Sequence, residues 1–228
     1  MKPICSLCAK RSKVFYLRYD GKYIPSGFFC DNCKQIITEK KKDPVIFRMD
    51  IREFLRDAKE TYDVIMADPP WQYLTEAPRE SDRIGNYYEQ MTTEEICNLE
   101  VQKIAGKNSY LFLWSPSPKV EEAMDVLKAW HFSYVSQFIW DKKLMGLGHL
   151  IRQQHEVLLI GRKGKPKPPA VKFKSVISEK RTDHSRKPKK SYSIIDSMFP
   201  DSKRIELFAR YVFPDWHGVG YEAEAKYE

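Results

Sequence analysis

The chain has few glycines and none of the glycine-rich signatures. Ten glycines are spread over 228 residues. None falls into G-x-G-x-x-G or a P-loop, so a nucleotide held on a glycine-rich loop is not supported; Gly146-Leu147-Gly148 is too short to count. No G-x-S-x-G nucleophile elbow occurs, which removes the hydrolase reading that would rest on one. No apolar run approaches the ~20 residues needed to cross a bilayer, and Met1-Lys2-Pro3-Ile4-Cys5 lacks the apolar core of a signal peptide. A soluble intracellular protein with no membrane association is therefore expected. The five histidines, His131, His149, His155, His184 and His217, show no i,i+4 pairing of the kind that holds a metal. There is no internal repeat and no low-complexity tract.

What is present fits one α/β domain with a small appendage, long enough to bury a sizeable core. With 39 Lys+Arg against 31 Asp+Glu the formal charge is +8, which favours a polyanionic partner, because each neutralised phosphate releases counterions. The charge is clustered. Lys180 to Lys190 holds six basic residues and one acid, Asp183. Arg162-Lys163-Gly164-Lys165-Pro166-Lys167 is a second basic, turn-rich run. Both read as loops beside a binding face, or as ordinary solvated charge.

Residues 1–40 read as a separate small unit. Cys5, Cys8, Cys30 and Cys33 form two C-x2-C pairs on either side of an aromatic hairpin: Val14-Phe15-Tyr16-Leu17, a turn at Asp20-Gly21, then Lys22-Tyr23-Ile24. Such a unit is too small to fold on its own core. Four thiolates at this spacing suit a structural, tetrahedral zinc in a ribbon-like knuckle pair. Disulfides, disfavoured in a reducing compartment, and unligated thiols are the alternatives. Lys40-Lys41-Lys42-Asp43-Pro44 reads as the linker, and the main domain spans 45–228.

From Val45 the pattern alternates. Strands are expected at Val45–Met49, Tyr62–Ala67, Tyr110–Trp114, Phe138–Trp140, Val157–Ile160 and Arg204–Phe208, and helices at Arg52–Lys59, Pro118–Trp130 and Ser191–Met198. Thr92-Thr93-Glu94-Glu95 is a capped helix start, and the polar stretch 72–90 reads as a loop. Alternation of this kind predicts a mostly parallel sheet with helices on both faces.

The stretch with the most chemistry is Asp68-Pro69-Pro70-Trp71, directly after the apolar run Tyr62–Ala67. The prolines have fixed φ and no N–H, so the turn is stiff and its carbonyls stay available as acceptors. Asp68 adds an acceptor and Trp71 a face for stacking. This arrangement suits holding a planar amine; a plain Pro-Pro turn ending a strand is the alternative.

Further segments lie in order around it: Asp50-Ile51-Arg52, Met66-Ala67-Asp68-Pro69-Pro70-Trp71, Tyr88-Glu89-Gln90-Met91-Thr92, Leu111-Phe112-Leu113-Trp114, Phe138-Ile139-Trp140, His184-Ser185-Arg186-Lys187-Pro188 and Ile205-Glu206-Leu207-Phe208-Ala209-Arg210. Together, over about 45–222, they resemble the DPPW-type N6-adenine methyltransferases, the family of the catalytic subunit of the messenger-RNA adenine methyltransferase. The compact length and the His-Ser-Arg-Lys-Pro string are closest in style to bacterial and phage stand-alone members. The resemblance implies a Rossmann-like, permuted (β-class) fold that uses S-adenosylmethionine. It places Asp68 near the donor's methionine end, Asp50 and Ile51 at its adenine, and Lys187 near its carboxylate. Glu206 and Arg210 match the ribose-end pair; an acid inside an apolar strand is in any case suspicious, since a buried carboxyl needs a partner. Glu222 falls in the closing string, where Val219-Gly220-Tyr221-Glu222 departs from the family's usual Trp-Gly-Asn-Glu and puts one donor contact in doubt at Tyr221.

Under this reading Asp68 and the Pro69 carbonyl accept the two N–H groups of an adenine amine, and Pro70 and Trp71 complete the catalytic turn. Tyr73, Tyr87 and Tyr88 stack on or gate the base, or pack within their own loop. Arg162, Lys163, Lys165 and Arg186 contact the nucleic-acid backbone. Trp114 and Trp140, each ending an apolar strand, read as core, with base contact as the alternative, and Trp216 as packing in the terminal strand. DNA is favoured over RNA on the stand-alone form. A homodimer and a heterodimer are both open, as is the compartment: cytoplasm for a prokaryotic or phage-type chain, nucleus for a eukaryotic one. The rival functions are a non-catalytic nucleic-acid-binding partner subunit, which would have no need of Asp68, and a zinc-ribbon interaction module on a degenerate domain.

Overall fold

The computed structural model describes residues 42–73, 90–146, 150–181 and 186–226, together with the backbone of 14–17 and 27–30. In the N-terminal part, β1 (Val14–Leu17) pairs antiparallel with β2 (Gly27–Cys30), Val14 opposite Cys30 and Leu17 opposite Gly27. An antiparallel pair does form there, but its second strand is Gly27–Cys30; the expected turn at Asp20-Gly21 and strand Lys22–Ile24 lie outside the described residues.

The main domain is built on an eight-stranded sheet. Its strands are β3 (Val45–Phe47), β4 (Tyr62–Ala67), β5 (Ala105–Pro116), β6 (Ser133–Asp141), β7 (His155–Lys163), β8 (Val176–Ser178), β9 (Arg204–Leu207) and, after the short β10 (Tyr211–Val212), β11 (Trp216–Val219). Their spatial order is β3-β11-β9-β4-β5-β7-β6-β8. Every pairing is parallel except the two made by β7, which alone in this sheet runs against the rest. A final strand, β12 (Glu224–Ala225), pairs parallel with β10.

Strict alternation sorts the side chains to two faces. Ile65 and Ala67 of β4, with Leu111 and Leu113 of β5, pack in one layer under α1 (Ile51–Asp57), α2 (Thr93–Cys97) and α3 (Val120–Ala129). Val64, Met66, Phe112 and Trp114 point the other way, into a layer covered by α4 (Lys189–Met198). Because both faces are covered, the central strands read as continuous apolar runs, not as alternating ones.

The helix starts follow the local chemistry. Asp50 caps α1 by accepting the Arg52 amide at 2.7 Å. Thr92 and Glu95 form the reciprocal capping box at α2 that their spacing predicts: the Thr92 hydroxyl accepts the Glu95 amide at 3.1 Å, and Glu95 accepts the Thr92 amide at 2.8 Å. Trp114 and Trp140 are core residues, with rings 6.0 Å apart and edge to face. Trp216 is buried, and its indole donates to Asp196 at 2.8 Å.

The chain leaves β4 towards β5, fills the β5-β7-β6-β8 side, and then returns through α4 to β9 on the opposite flank of β4. The β9/β4 boundary is thus a topological switch point, where a crevice opens at the carboxyl ends of parallel strands.

Candidate active site

That crevice is where Asp68 stands, immediately after β4. The turn behind it is locked from several directions. The Trp71 amide donates to the Pro69 carbonyl at 2.9 Å, and the Met91 amide donates to the Pro70 carbonyl at 2.8 Å. The Trp71 indole donates to the Trp114 carbonyl at 3.1 Å, and the residue is only 5% exposed. Two expectations are modified here. The Pro69 carbonyl is not wholly free, since one lone pair serves Trp71 and one remains. Trp71 acts first as the anchor of the turn and shows little open face for stacking.

Asp68 does not stand alone. Its Oδ1 lies 2.8 Å from the Lys187 ammonium, and the same ammonium lies 3.1 Å from Glu156 Oε2. Glu156 in turn meets Lys142 through Oε1 at 2.5 Å. Burial pushes the Asp68 carboxyl above the ordinary aspartate range; the Lys187 charge and hydrogen bond oppose this, while Glu156 adds to it. Burial would lower the Lys187 pKa, but Asp68 and Glu156 together outweigh it and hold the ammonium well above an ordinary lysine. Glu156 stays below the ordinary glutamate range because Lys187 and Lys142 overcome its burial. Neither Glu156 nor Lys142 was singled out from the sequence. A glutamate heading the apolar run Val157–Ile160 carries the same signal as Glu206, an acid beside buried strand residues.

Glu206 lies on β9 under α4 and is 4% exposed. Its Oε1 accepts the Tyr192 hydroxyl at 2.8 Å, whereas Oε2 has no hydrogen-bond partner among the described residues. Burial, with the nearby Asp68 charge, pushes its carboxyl up to about 8, against the pull of the Tyr192 hydrogen bond. Just beyond β9, Phe208 adopts φ 62°. A bulky residue in the left-handed region costs about 1–2 kcal/mol, a strain that gathers at functional turns. Phe208 lines both recesses of the crevice, as do Asp68 and Arg210.

Two connected recesses share Asp68, Arg186, Lys187, Phe208 and Arg210. The smaller runs over Glu206 and Tyr192 towards Lys189 and Lys226. The larger, about 320 Å³, lies over Pro69, Pro70, Trp71 and Tyr73 and reaches Glu156 and Arg181.

The other residues expected at the site fall into two groups. Asp50 and Ile51, after β3, and Tyr221 and Glu222, after β11, lie at the same carboxyl edge of the sheet as Asp68. The Tyr221 hydroxyl donates to Asp50 Oδ2 at 3.3 Å. Arg162, Lys163 and Lys165 are not brought to the crevice. Because β7 runs against its neighbours, Glu156 lies near its start at the site and Arg162 near its end, about 20 Å away at ~3.3 Å per residue. Lys163 there donates to the carbonyls of Gln102 and Ala105. Tyr87, Tyr88, Cys5, Cys8 and Cys33 lie outside the described residues, and Cys30 is described only in its backbone. Among the described residues no cluster of three metal-binding side chains occurs, and no helix is long and apolar enough to cross a membrane.

The residues fit a sulfonium nucleoside donor. A buried carboxyl group has an oxygen left for a hydroxyl, a buried cation can serve a carboxylate, and an acid stands beside both in the same crevice. Fold and site together define a Rossmann-like methyltransferase, with the acid at the carboxyl end of a central strand and a strained turn across the switch point. Residues 62–222 match the MT-A70 family model, and the chain belongs to that family. It is an S-adenosylmethionine-dependent methyltransferase of the N6-adenine type. Similar proteins include the Type II methyltransferase M.MunI of Mycoplasma sp, 30% identical over 186 residues, covering 72% of this chain and 78% of that protein. An N(6)-adenosine-methyltransferase MT-A70-like protein of Arabidopsis thaliana is 30% identical over 169 residues, 71% of this chain and 23% of its own length. The N(6)-adenosine-methyltransferase catalytic subunit METTL3 of Homo sapiens is 28% identical over 173 residues, 71% of this chain and 28% of its own. The chain thus spans most of the first relative but only about a quarter of the other two.

Proposed function

We propose that the chain methylates the exocyclic N6 amine of adenine in nucleic acid, with DNA as the substrate in preference to RNA. The observation that carries this reading is Asp68, held against Lys187 at the switch point in front of the locked Pro69-Pro70 turn. The preference for DNA rests on coverage: the match takes in 78% of a type II methyltransferase but only about a quarter of proteins with N(6)-adenosine in their names.

When bound, S-adenosylmethionine supplies a methyl group already activated on a sulfonium. The chain's own residues then have three tasks. Asp50, Ile51, Glu206, Arg210 and Glu222, with Asp68 and Lys187, hold the donor along the carboxyl edge of the sheet. Asp68 and the remaining lone pair of the Pro69 carbonyl take the two N–H groups of the target amine, drawing its lone pair out of conjugation and aiming it. Asp68 remains ionised through its pairing with Lys187 and so stabilises the positive charge that develops on nitrogen. No covalent enzyme intermediate is needed, and the proton leaves to solvent. Tyr73, 45% exposed, is the described aromatic available to pack on an unstacked base, and Arg186 faces the same recess for a phosphate.

Cys5, Cys8, Cys30 and Cys33 form part of this proposal as ligands of one structural zinc in the N-terminal unit. The function is tested by incubating the full chain with labelled S-adenosylmethionine and matched single- and double-stranded DNA and RNA, then identifying the methylated nucleoside. N6-methyladenine in DNA is expected. Label in RNA alone would refute the DNA preference, and label in neither would refute the function.

A further inference from the structure

The Asp68–Lys187 pair is one end of a longer chain of alternating charge. From the crevice outwards it runs Asp68, Lys187, Glu156, Lys142, with successive contacts of 2.8, 3.1 and 2.5 Å. All four lie low in the structure: side-chain exposures are 23% for Asp68, 12% for Lys187, 16% for Glu156 and 18% for Lys142. Four separate parts of the fold supply them, namely the turn after β4, the segment ahead of α4, the start of strand β7 and the residue after β6. The Lys142 ammonium also lies 5.4 Å from the Trp140 ring, and Lys187 lies 5.6 Å from that of Trp114, so each cation is seated against a buried indole.

We infer that Lys142 is a positioning residue for methyl transfer. By neutralising Glu156 it leaves Lys187 committed to Asp68, and so keeps the acid of the catalytic turn ionised and in place. The inference rests on the function proposed above. The logic is competition. Lys187 sits between two carboxylates, and whichever is less compensated draws it more strongly. Glu156 has Lys142 as a second cation, so it has no need of Lys187 alone. Without Lys142, Glu156 is compensated by Lys187 alone among its described partners and pulls that ammonium away from Asp68. It then also acts on Asp68 as a like charge at close range, which favours the protonated acid. A neutral Asp68 could neither accept an amine N–H as strongly nor stabilise positive charge on nitrogen.

Other groups facing Asp68 are Glu206 and Arg210 from β9 and the turn beyond it, Tyr192 from α4, Tyr73 after the catalytic turn and Arg186 ahead of α4. Lys142 meets Glu156, Glu156 meets Lys187 and Lys187 meets Asp68, so the described contacts give a change at Lys142 a route to Asp68.

The test reads Asp68 directly. In the full chain labelled with carbon-13 at aspartate carboxyls, the Asp68 signal is assigned by its loss in Asp68→Asn and followed against pH. Lys142→Met is expected to raise the pH at which Asp68 titrates by about half a unit to one unit, and Lys142→Arg to restore it. In a Glu156→Gln background the same Lys142→Met change is expected to have no effect, because the relay has lost its middle member. An unchanged titration in Lys142→Met overturns the proposal. So does an equal shift with and without Glu156, which would mean that Lys142 acts on Asp68 through space. If Lys142→Met does not fold, the Lys142→Met/Glu156→Gln pair, which leaves no buried charge unpaired, carries the same comparison against Glu156→Gln alone. Where the wild type methylates DNA or RNA, the acidic limb of kcat should move with the NMR titration while donor KM holds. A wild type with no methylation refutes the proposed function and leaves the carboxyl titration to decide the relay.

Discussion

Replacing Glu206 by glutamine should make the protein more stable, and increasingly so as pH rises. Glutamine keeps the shape and the oxygen that accepts the Tyr192 hydroxyl at 2.8 Å, but it cannot ionise. In the unfolded chain the Glu206 carboxyl loses its proton near 4.5, whereas burial beside Asp68 holds the proton in the folded chain up to about 8. Between those values the native state binds one more proton than the unfolded state, so native stability falls as pH rises and flattens above about 8. A span of about 3.5 units at ~1.4 kcal/mol each sets a ceiling near 5 kcal/mol, and relaxation around the ionised form reduces this to about 3 kcal/mol. Urea denaturation of both proteins at several values between about pH 5 and pH 9 measures it. The variant should match the wild type at the acid end and exceed it at the alkaline end. A difference that stays constant across the range would refute the account of Glu206 as a buried, underpartnered acid. The same substitution should weaken donor binding, because the unpartnered oxygen proposed for a donor hydroxyl becomes an amide. Stability gained at the expense of function is the expected mark of a site residue.

Asp68→Asn should reduce methyl transfer by at least ~100-fold, the scale of losing one electrostatic contact made in the transition state, with an unchanged melting temperature; full activity in the labelled-donor assay would reject the mechanism. Gly218→Ala should destabilise by about 1–3 kcal/mol, because its Cβ would fall 2.2 Å from a Val212 methyl; a melting curve equal to wild type would show that β10 yields without cost. Protein purified under reducing conditions should carry one zinc per chain by elemental analysis, and Cys30→Ser should lose it; metal-free wild-type protein would reject the assignment of Cys5, Cys8, Cys30 and Cys33.

Much of the fold was legible because its information is local. The apolar runs Tyr62–Ala67, Tyr110–Trp114 and Val157–Ile160 lie inside observed strands, since a strand buried on both faces needs no partner to declare itself. The Thr92–Glu95 box announces its helix for the same reason: donor and acceptor lie three residues apart. The edge elements were not legible. Val176–Ser178 forms β8 only by lying along the end of β6, and β10 and β12 are two-residue strands that exist by pairing with each other. Nothing within such short segments distinguishes them from loop.

The direction of β7 shows why the site was only half readable. Periodicity marks Val157–Ile160 as a strand but says nothing of its sense, and sense decides which end faces the crevice. The basic run Arg162–Lys165 was expected beside the target, yet antiparallel pairing carries it to the far edge and brings Glu156 to Asp68 instead. One reversal therefore exchanges a set of candidate phosphate contacts for a carboxylate within the charge network of the crevice. Lys187 could be placed by its motif, but its second partner could not, because Glu156 meets Lys187 and Lys142 only through sheet order. Motif residues thus identify the chemistry of the crevice, while the residues that set its charge state come from strand topology.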